Sequence, residues 1–195
     1  MSDAGGPAAR ALARLEQAFL IGVEGVSEVC LVRHGEAQSD PATDPALSSR
    51  GRQQALRLSR RLAQGKMDAV YSSPLQRAWQ TALALSQEVR PDPRLVEAEV
   101  RVRGGRFERL EPASEVVARM GAAVDGAVAA HPGGGIVLVT HGLAILSYLE
   151  HLLEIEPGRL RLFPQCTSIS VVRVRGARHA LGSLGDVAHL EGLSR

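Results

Sequence analysis

Two uninterrupted apolar runs stand out from an otherwise mixed pattern of hydrophobic and polar positions. They cover residues 29–32 and 136–139. Runs of this kind, without alternation, are typical of parallel strands that are buried on both faces. An Arg-His-Gly sequence (33–35) follows the first run and a Thr-His-Gly sequence (140–142) ends the second. The pattern therefore predicts two central strands that present polar side chains at their carboxyl ends.

Along the rest of the chain, segments whose apolar residues have helical spacing alternate with shorter segments that are typical of strands. Ser48 or Ser49 is the expected cap of one helix, and Ser73, followed by Pro74, is the expected cap of the next. Residues 90–112 are irregular and rich in proline and glycine, so they are interpreted as a functional loop. Helices are predicted at 8–20, 49–63, from 74 onward, 114–130 and 143–153, and strands at 68–71 and, as a closing hairpin, at 168–174 and 178–184.

This order of elements predicts an α/β fold with a mostly parallel sheet and helices on both faces. The helix at 114–130 is expected to bury a stripe formed by Val117, Met120, Val124 and Val128. A length of 195 residues and a hydrophobic content of 45% suit one core, so residues 27–195 are assigned to a single domain. Residues 1–26 form a leader, which packs on the domain, packs on a second copy in a homodimer, or frays.

Composition narrows the classes of partner. The formal net charge is only +2 and aromatic residues make up 3%, which argues against a nucleic-acid partner. No apolar run is long enough to span a membrane, and the leader lacks the apolar core of a signal peptide. Cys30 and Cys166 are too few for a disulfide framework, so a reducing cytoplasm is the expected location.

Four polar residues are expected to meet at one edge of the sheet: Arg33, His34, Arg77 and His141. Two guanidinium groups and two imidazoles suit a tetrahedral dianion, and phosphate is the most common such ligand. The sequence holds neither metal-ligand spacing nor a phosphate-binding loop with its lysine, so no cofactor is expected.

A phosphoryl transfer without a metal needs a nucleophile from the protein, and a neutral imidazole is competent near neutral pH. His34 is preferred because it adjoins Arg33, although position alone does not exclude His141. The leaving alkoxide also needs a proton donor. The acidic candidates in the irregular segment are Glu97, Glu99 and Glu108.

Four stretches in this order resemble the motifs of the histidine phosphatase superfamily, which includes phosphoglycerate mutases and many small phosphatases. They are residues 31–36, 47–55, 72–78 and 139–142. The resemblance implies a three-layer α/β/α sandwich, a phosphohistidine at His34, and a phosphate held by Arg33, Arg77 and His141. Glu97, in a Leu-x-Glu sequence, resembles the proton donor of the family.

Two segments depart from the family pattern. The Gly-x-Trp-Glu-Gly sequence that usually follows the proton donor is matched at best by residues 105–109, which are displaced. An asparagine before the last strand is replaced by Gln165, Cys166 and Thr167. The shape of the pocket wall is therefore expected to differ from that of other members.

The resulting hypothesis is a metal-independent phosphatase that hydrolyses a small phosphomonoester. A short chain favours hydrolysis over a cofactor-dependent phosphoglycerate mutase, and a catalytically weak phosphate-binding module is the further alternative. The loop at 37–46 is the expected rim of the pocket. The expected substrate contacts are Gly35, Gln38, Ser39 and Gly142. Four arginines either bind an anionic group of the substrate beyond the transferred phosphate or form a solvated basic loop: Arg101, Arg103, Arg106 and Arg109.

Overall fold

A computed structural model describes residues 6–39, 44–104 and 106–193, without the side chains at 102, 106 and 107. The strands are β1 (Ser27–Arg33), β2 (Ala69–Ser72), β3 (Val89–Pro91), β4 (Val100–Arg103), β5 (Arg106–Arg109), β6 (Gly135–Thr140), β7 (Ile169–Arg175) and β8 (Arg178–Asp186). The α-helices are α1 (Pro7–Ala18), α2 (Ser49–Leu62), α3 (Gln76–Leu83), α4 (Ala113–Ala130) and α5 (Gly142–Leu152), and single 3₁₀ turns lie at Pro93–Leu95 and Ala188–Leu190.

Six strands form the central sheet in the order β3-β2-β6-β1-β7-β8. The first four strands in this order are parallel, β7 runs antiparallel to them, and β8 returns antiparallel to β7 as the second strand of a hairpin. The mostly parallel sheet expected from the sequence is therefore confirmed, including its closing hairpin.

Side chains of successive residues in β1 enter two different cores, as the pleat of a strand requires. Val29 and Leu31 pack with α4 and α5 on one face of the sheet. Cys30 and Val32 pack on the other face with residues of α2 and α3. Because both faces are covered, the chain forms three layers, and a ligand can reach the sheet at the loops that follow its strand ends.

Two details of the predicted elements are wrong. The segment 90–112 is not a plain loop, because it contains β3, a 3₁₀ turn and the hairpin of β4 and β5. The alternation of valine and arginine at 100–103 has the period of a strand, and this signal was outweighed by the surrounding prolines and glycines.

The buried stripe of α4 is also rotated, since Val116 is buried whereas Val117 is only half-buried. Its fully covered members are Val116, Met120, Ala123, Val124 and Ala127.

The predicted leader helix is present as α1, but it buries none of its residues. Its carboxyl end is held by Arg178, whose Nη2 donates hydrogen bonds to the carbonyl oxygens of Gln17 and Ala18. Leu20, just after the helix, is buried with a φ of 57° and fixes the chain against the domain. Within the described ranges, no helix has both the length and the hydropathy needed to cross a membrane.

Candidate active site

The two histidines of the predicted site follow neighbouring parallel strands. Arg33 at the end of β1 lies in register with Thr140 at the end of β6, so His34 and His141 begin the next segments side by side. The backbone N–H of His34 donates to the carbonyl of Thr140 at 2.9 Å. The centroids of the two imidazole rings are 5.0 Å apart. The fold therefore brings together the two groups that the sequence placed at strand ends.

Hydrogen bonds indicate which ring nitrogen of His34 carries the proton. Its Nδ1 lies 2.7 Å from the carbonyl oxygen of Gly35, which only accepts, so Nδ1 carries the proton. Nε2 is then unprotonated, and its lone pair accepts a hydrogen bond from Nε of Arg77 at 3.2 Å. Burial, together with the charges of Arg77 and Arg33, lowers the pKa of His34 to about 3, against a favourable bond to Gly35. The imidazole is therefore neutral near pH 7, with a nucleophilic Nε2.

His141 is completely buried, and its Nε2 lies 2.8 Å from Oγ of Ser73. That hydroxyl oxygen also accepts the N–H of Leu75, which leaves its proton free to point at His141. In this arrangement Nδ1 of His141 is a donor, and it has no hydrogen-bond partner among the described residues. Burial, followed by the charges of His34 and Arg77, lowers the pKa of His141 to about 2.

Arg33 supplies a second unsatisfied donor at the same strand ends. Its Nη1 donates to the carbonyl of Pro164 at 2.8 Å, and its Cζ lies 4.9 Å from the ring centroid of Phe163. Its Nε is buried and, within the described part of the chain, has no hydrogen-bond partner. Buried polar groups are rarely left unpaired. An anion with several acceptor oxygens would satisfy both Nε of Arg33 and Nδ1 of His141.

Arg77 lies in the first turn of α3, whereas His34 directly follows β1. Asp44, from the loop before α2, accepts the N–H of Gln76 with both carboxylate oxygens at 2.9 and 3.0 Å. One of these oxygens lies 3.7 Å from Nη1 of Arg77. Asp44 is therefore the acceptor at the start of α3, and the prediction that Ser73 caps this helix is wrong. The side chain of Ser73 instead forms a hydrogen bond with His141.

A buried threonine joins the two halves of the site. Oγ1 of Thr81 accepts the N–H of Gly35 at 3.0 Å and donates to the carbonyl of Arg77 at 2.7 Å. Gly35 itself has no space for a side chain, because a Cβ there would lie 2.7 Å from the carbonyl oxygen of Gly51. Thr81 was not predicted from the sequence, although its position four residues after Arg77 on a helix is the spacing at which a hydroxyl bonds back to the helix.

Glu97 lies at the amino end of α5, the helix that begins one residue after His141. Its Oε1 accepts the N–H groups of Ala98 and Ala144 at 2.9 and 3.0 Å. Oε2 has only a long contact, 3.4 Å, with the N–H of Leu143. The charge of Glu97 acts on Arg77, where it opposes the lowering of the guanidinium pKa that burial causes. Oε2 is therefore the less engaged of the two carboxyl oxygens.

The other two acidic candidates lie on the exposed hairpin. Glu99 precedes β4, and Glu108 in β5 pairs with Arg101 across the hairpin. The arginines of this hairpin at 101 and 103 are exposed as well. Position 105 lies outside the described residues, so the comparison of 105–109 with the family sequence is not resolved by the structure.

The predicted substrate contacts occupy different positions. Gly35 has both backbone groups engaged, so it positions His34, and Gly142 begins α5 against the ring of Phe163. Gln38 and Ser39 are exposed on the loop after β1. Residues 40–43 of the predicted rim lie outside the described chain, and the role of the rim stays a prediction.

The segment that lacks the family asparagine supports the strand end through its backbone. The N–H of Thr167 lies 2.9 Å from the carbonyl oxygen of Arg33 and 3.3 Å from that of His34. Thr167 adopts a φ of 58°, which is uncommon for a β-branched residue and reflects a constrained turn. No group of three His, Cys, Asp or Glu side chains in the described ranges is arranged to hold a metal ion.

Comparisons with known proteins identify the family. A family model for the histidine phosphatase superfamily (branch 1) matches residues 29–110 and 100–187. Probable phosphoglycerate mutase GpmB of Yersinia enterocolitica is 30% identical, over 84% of this chain and 95% of that protein. Phosphoserine phosphatase 1 of Hydrogenobacter thermophilus is 38% identical over a shorter stretch, which covers 36% of this chain and 38% of that protein's length.

A solved structure shares the fold over most of its length. Phosphoserine phosphatase from Entamoeba histolytica, in complex with 3-phosphoglyceric acid, superposes with a TM-score of 0.71. It is 25% identical, and the match covers 84% of this chain and 99% of that one. The three-layer architecture is thus common to both proteins.

Proposed function

The chain belongs to the histidine phosphatase superfamily (branch 1), and we propose on that premise that it is a phosphomonoester phosphatase acting through a phosphohistidine at His34. The observation that carries this proposal is the neutral His34, whose Nε2 lone pair faces a guanidinium and lies next to His141. A nucleophile and unsatisfied donors for an anion occur together at one sheet edge. Phosphoryl transfer needs both.

In the first step, Nε2 of His34 attacks phosphorus and the bond from phosphorus to the leaving oxygen breaks. The proton on Oε2 of Glu97 passes to the leaving oxygen, so an alcohol departs and a carboxylate remains. Arg33, Arg77 and His141 stabilise the charge on the other phosphoryl oxygens. This electrostatic contribution is the main source of catalysis in phosphoryl transfer.

In the second step, water attacks the phosphohistidine. The carboxylate of Glu97 takes a proton from that water, and the N–P bond breaks with its electron pair returning to Nε2 of His34. Inorganic phosphate is released and Glu97 is again protonated. The cycle balances with one ester and one water consumed, and it needs no metal ion.

We propose small phosphomonoesters with a neighbouring carboxylate as the substrate class. The names of the relatives support this class, because phosphoserine and 3-phosphoglycerate both carry a carboxylate on a short chain. Arg101 and Arg103, on the hairpin that follows Glu97, are exposed and able to bind such a group. We expect kcat/KM for phosphoserine or 3-phosphoglycerate to exceed that for glycerol 3-phosphate about tenfold. Equal values would remove the carboxylate from the proposal.

A phosphoglycerate mutase is the second candidate, because the relative that the chain spans to 95% of its length is named as a probable one. That match also means that a short chain does not by itself separate the two activities. The enzyme should be given 3-phosphoglycerate with a trace of 2,3-bisphosphoglycerate. Appearance of the 2-isomer faster than inorganic phosphate would establish the mutase, whereas phosphate alone supports hydrolysis.

The decisive experiment traps the intermediate in the presence of EDTA. The protein is mixed with ³²P-labelled phosphoserine or 3-phosphoglycerate, quenched in alkali, and examined for acid-labile label on histidine. We expect label in the wild type and in His151→Ala, which changes an exposed histidine, but none in His34→Ala. Label that survives in His34→Ala and disappears in His141→Ala would transfer the nucleophile to His141. Binding without label or turnover would leave only a phosphate-binding module.

We also propose a cytoplasmic location, where small phosphorylated metabolites and a reducing environment coincide. Cys30 and Cys166 are both unpaired, which suits that environment.

A further inference from the structure

The guanidinium of Arg119, in α4, holds the backbone immediately before Glu97. Its Nη1 donates to the carbonyl oxygens of Arg94 and Val96, each at 2.7 Å. A guanidinium nitrogen carries two N–H groups in a fixed plane, so it suits two carbonyls that are two residues apart. The segment that leads to Glu97 is thereby bound to a helix that packs on the sheet.

The carboxylate of Glu111 extends this contact to the other side of Glu97. Nε and Nη2 of Arg119 donate to its Oε1 and Oε2 at 2.7 and 2.9 Å. The same Oε2 also accepts the N–H of Glu99 at 3.3 Å. The Arg119–Glu111 pair therefore contacts the backbone one residue before Glu97 and two residues after it.

This pair is largely shielded from solvent and remains charged. The side chains of Arg119 and Glu111 are 17% and 18% exposed. The hydrogen bonds from Arg119 lower the pKa of Glu111, so the carboxylate stays ionised near neutral pH. Two parallel N–H···O bonds between a guanidinium and a carboxylate are strong and restrict the geometry of both groups. Such a pair is suited to hold a backbone segment in one place.

Thr140 holds the one carbonyl of this segment that Arg119 does not bind. Its Oγ1 donates to the carbonyl oxygen of Leu95 at 2.7 Å, and both residues are fully buried. Thr140 ends β6 and directly precedes His141. The three carbonyls before Glu97 are thus all bonded to side chains of core elements, one of which also presents His141.

We propose that Arg119, through its pair with Glu111, is a positioning residue for Glu97, and this inference rests on the proposed function. A proton donor acts only within hydrogen-bond reach of the leaving oxygen, about 2.6 to 3.2 Å. A displacement of about 1 Å can cost about 100-fold in rate. Arg119 need not touch the substrate for this role, because it fixes the backbone on both sides of the acid.

The test compares two leaving groups in the first turnover, measured by rapid mixing. Arg119→Met keeps a long unbranched side chain but removes its hydrogen bonds. We expect it to slow the release of serine from phosphoserine about tenfold, and that of p-nitrophenol from p-nitrophenyl phosphate less than about twofold. Arg119→Lys restores a donor and should lie between Arg119→Met and the wild type. The matched control, Arg159→Met, breaks an exposed pair with Glu156 and should leave both rates unchanged.

A second measurement separates positioning from a general effect on the fold. Glu97→Gln has no proton donor left to position, so adding Arg119→Met should slow serine release by less than about a further twofold. Circular dichroism verifies that each variant is folded. If Arg119→Met does not fold, Glu111→Gln weakens the same pair while keeping its shape and is measured in the same way. Equal loss with both substrates, or a tenfold loss that persists beside Glu97→Gln, would overturn the role of Arg119.

Failure of the proposed function gives a different result. A wild type that releases neither serine nor p-nitrophenol would overturn the phosphatase, and with it the role of Arg119. If Glu97→Gln slows both substrates alike, Glu97 is not the proton donor and Arg119 does not position one. Selective loss in Glu97→Gln without loss in Arg119→Met would leave the phosphatase in place and overturn only the positioning role.

Discussion

Nε of Arg77 donates a hydrogen bond to Nε2 of His34 over 3.2 Å, so in the free protein the guanidinium occupies the lone pair of the proposed nucleophile. Attack on phosphorus requires that lone pair. A bound phosphoryl group offers the guanidinium stronger, charged acceptors. The substrate would thus draw Arg77 onto its own oxygens and free His34 in the same movement.

The first prediction concerns Arg77→Lys. Lysine keeps the positive charge but not the forked donors that reach both a phosphoryl oxygen and the region of His34. We expect kcat/KM to fall about 100-fold, in line with the loss of one well-placed donor. Steady-state kinetics with phosphoserine or 3-phosphoglycerate measures this. Arg60→Lys, at an exposed position of α2, is the matched control, and an equal effect of both changes would contradict the role of Arg77.

The second prediction concerns Thr81, which positions the site without touching the substrate. Thr81→Val keeps the shape but leaves the N–H of Gly35 without its acceptor, and such a loss costs about 1 to 3 kcal/mol. We expect a kcat about tenfold lower, because His34 and Arg77 lose their fixed separation. Thr81→Ser should restore most of the kcat of the wild type. Failure of serine to restore it, in a variant as stable as the wild type, would show that the hydroxyl does not act through position.

The third prediction concerns product release. Asp44 competes with a bound phosphate for Arg77, since its carboxylate lies 3.7 Å from Nη1 of that residue. Asp44→Asn removes the charge but keeps an oxygen to accept the N–H of Gln76. We expect inorganic phosphate to inhibit the variant several-fold more strongly than the wild type. An unchanged inhibition constant would separate Asp44 from the anion site.

The strand ends could be predicted from the sequence because their information is local. A continuous apolar run predicts a buried parallel strand, and the residues after it must lie at the carboxyl edge of the sheet. The sequence alone therefore predicts that His34 and His141 lie together at one edge of the sheet. Motif resemblance added Glu97, which lies at the amino end of α5 and whose role as proton donor stays a prediction.

Contacts that cross the chain could not be predicted in this way. Ser73 has the sequence of a helix cap, yet Asp44, 32 residues before Gln76, takes the N–H that begins α3. Either side chain is chemically suited to the task, and the choice is made by which one the fold brings near. The hydroxyl of Ser73 is then free to bond His141. The link that Thr81 makes between the two halves of the site could not be predicted for the same reason, because its bond to the N–H of Gly35 depends on which residues the fold brings near each other.

The fourth prediction tests the proton donor. Glu97→Gln cannot protonate a leaving alkoxide, whereas p-nitrophenolate leaves without a proton. We expect the variant to lose about 100-fold in kcat for phosphoserine and less than about fivefold for the formation of p-nitrophenol. Glu99→Gln is the matched control on the exposed hairpin. Selective loss in Glu99→Gln instead would reassign the acid.

The fifth prediction concerns the stability of the protein in mild acid. His34 and His141 have folded pKa values of about 3 and about 2, far below the 6.5 of a free histidine. At a pH between the folded values and 6.5, these two histidines bind protons in the unfolded chain but not in the folded one. Stability is therefore complete above about pH 6.5 and falls as the pH decreases through that value.

The size of this loss at pH 5 depends on the unfolded pKa alone, because both folded values lie well below 5. Each buried imidazole then contributes about 2 kcal/mol, which gives about 4 kcal/mol for the pair. Burial also lowers the pKa of His189, which adds to the loss in the same direction. Carboxylates with lowered pKa values, such as Asp92 and Glu111, act only at more acidic pH.

Urea unfolding at pH 8 and pH 5 measures the difference directly. We expect His34→Gln and His141→Gln each to reduce the loss between these pH values by about 2 kcal/mol. His151→Gln retains both buried imidazoles and should show the full loss. If the two buried-site variants lose as much stability between pH 8 and pH 5 as the wild type, the imidazoles are not kept neutral by burial, and the lone pair on Nε2 of His34 loses its physical basis.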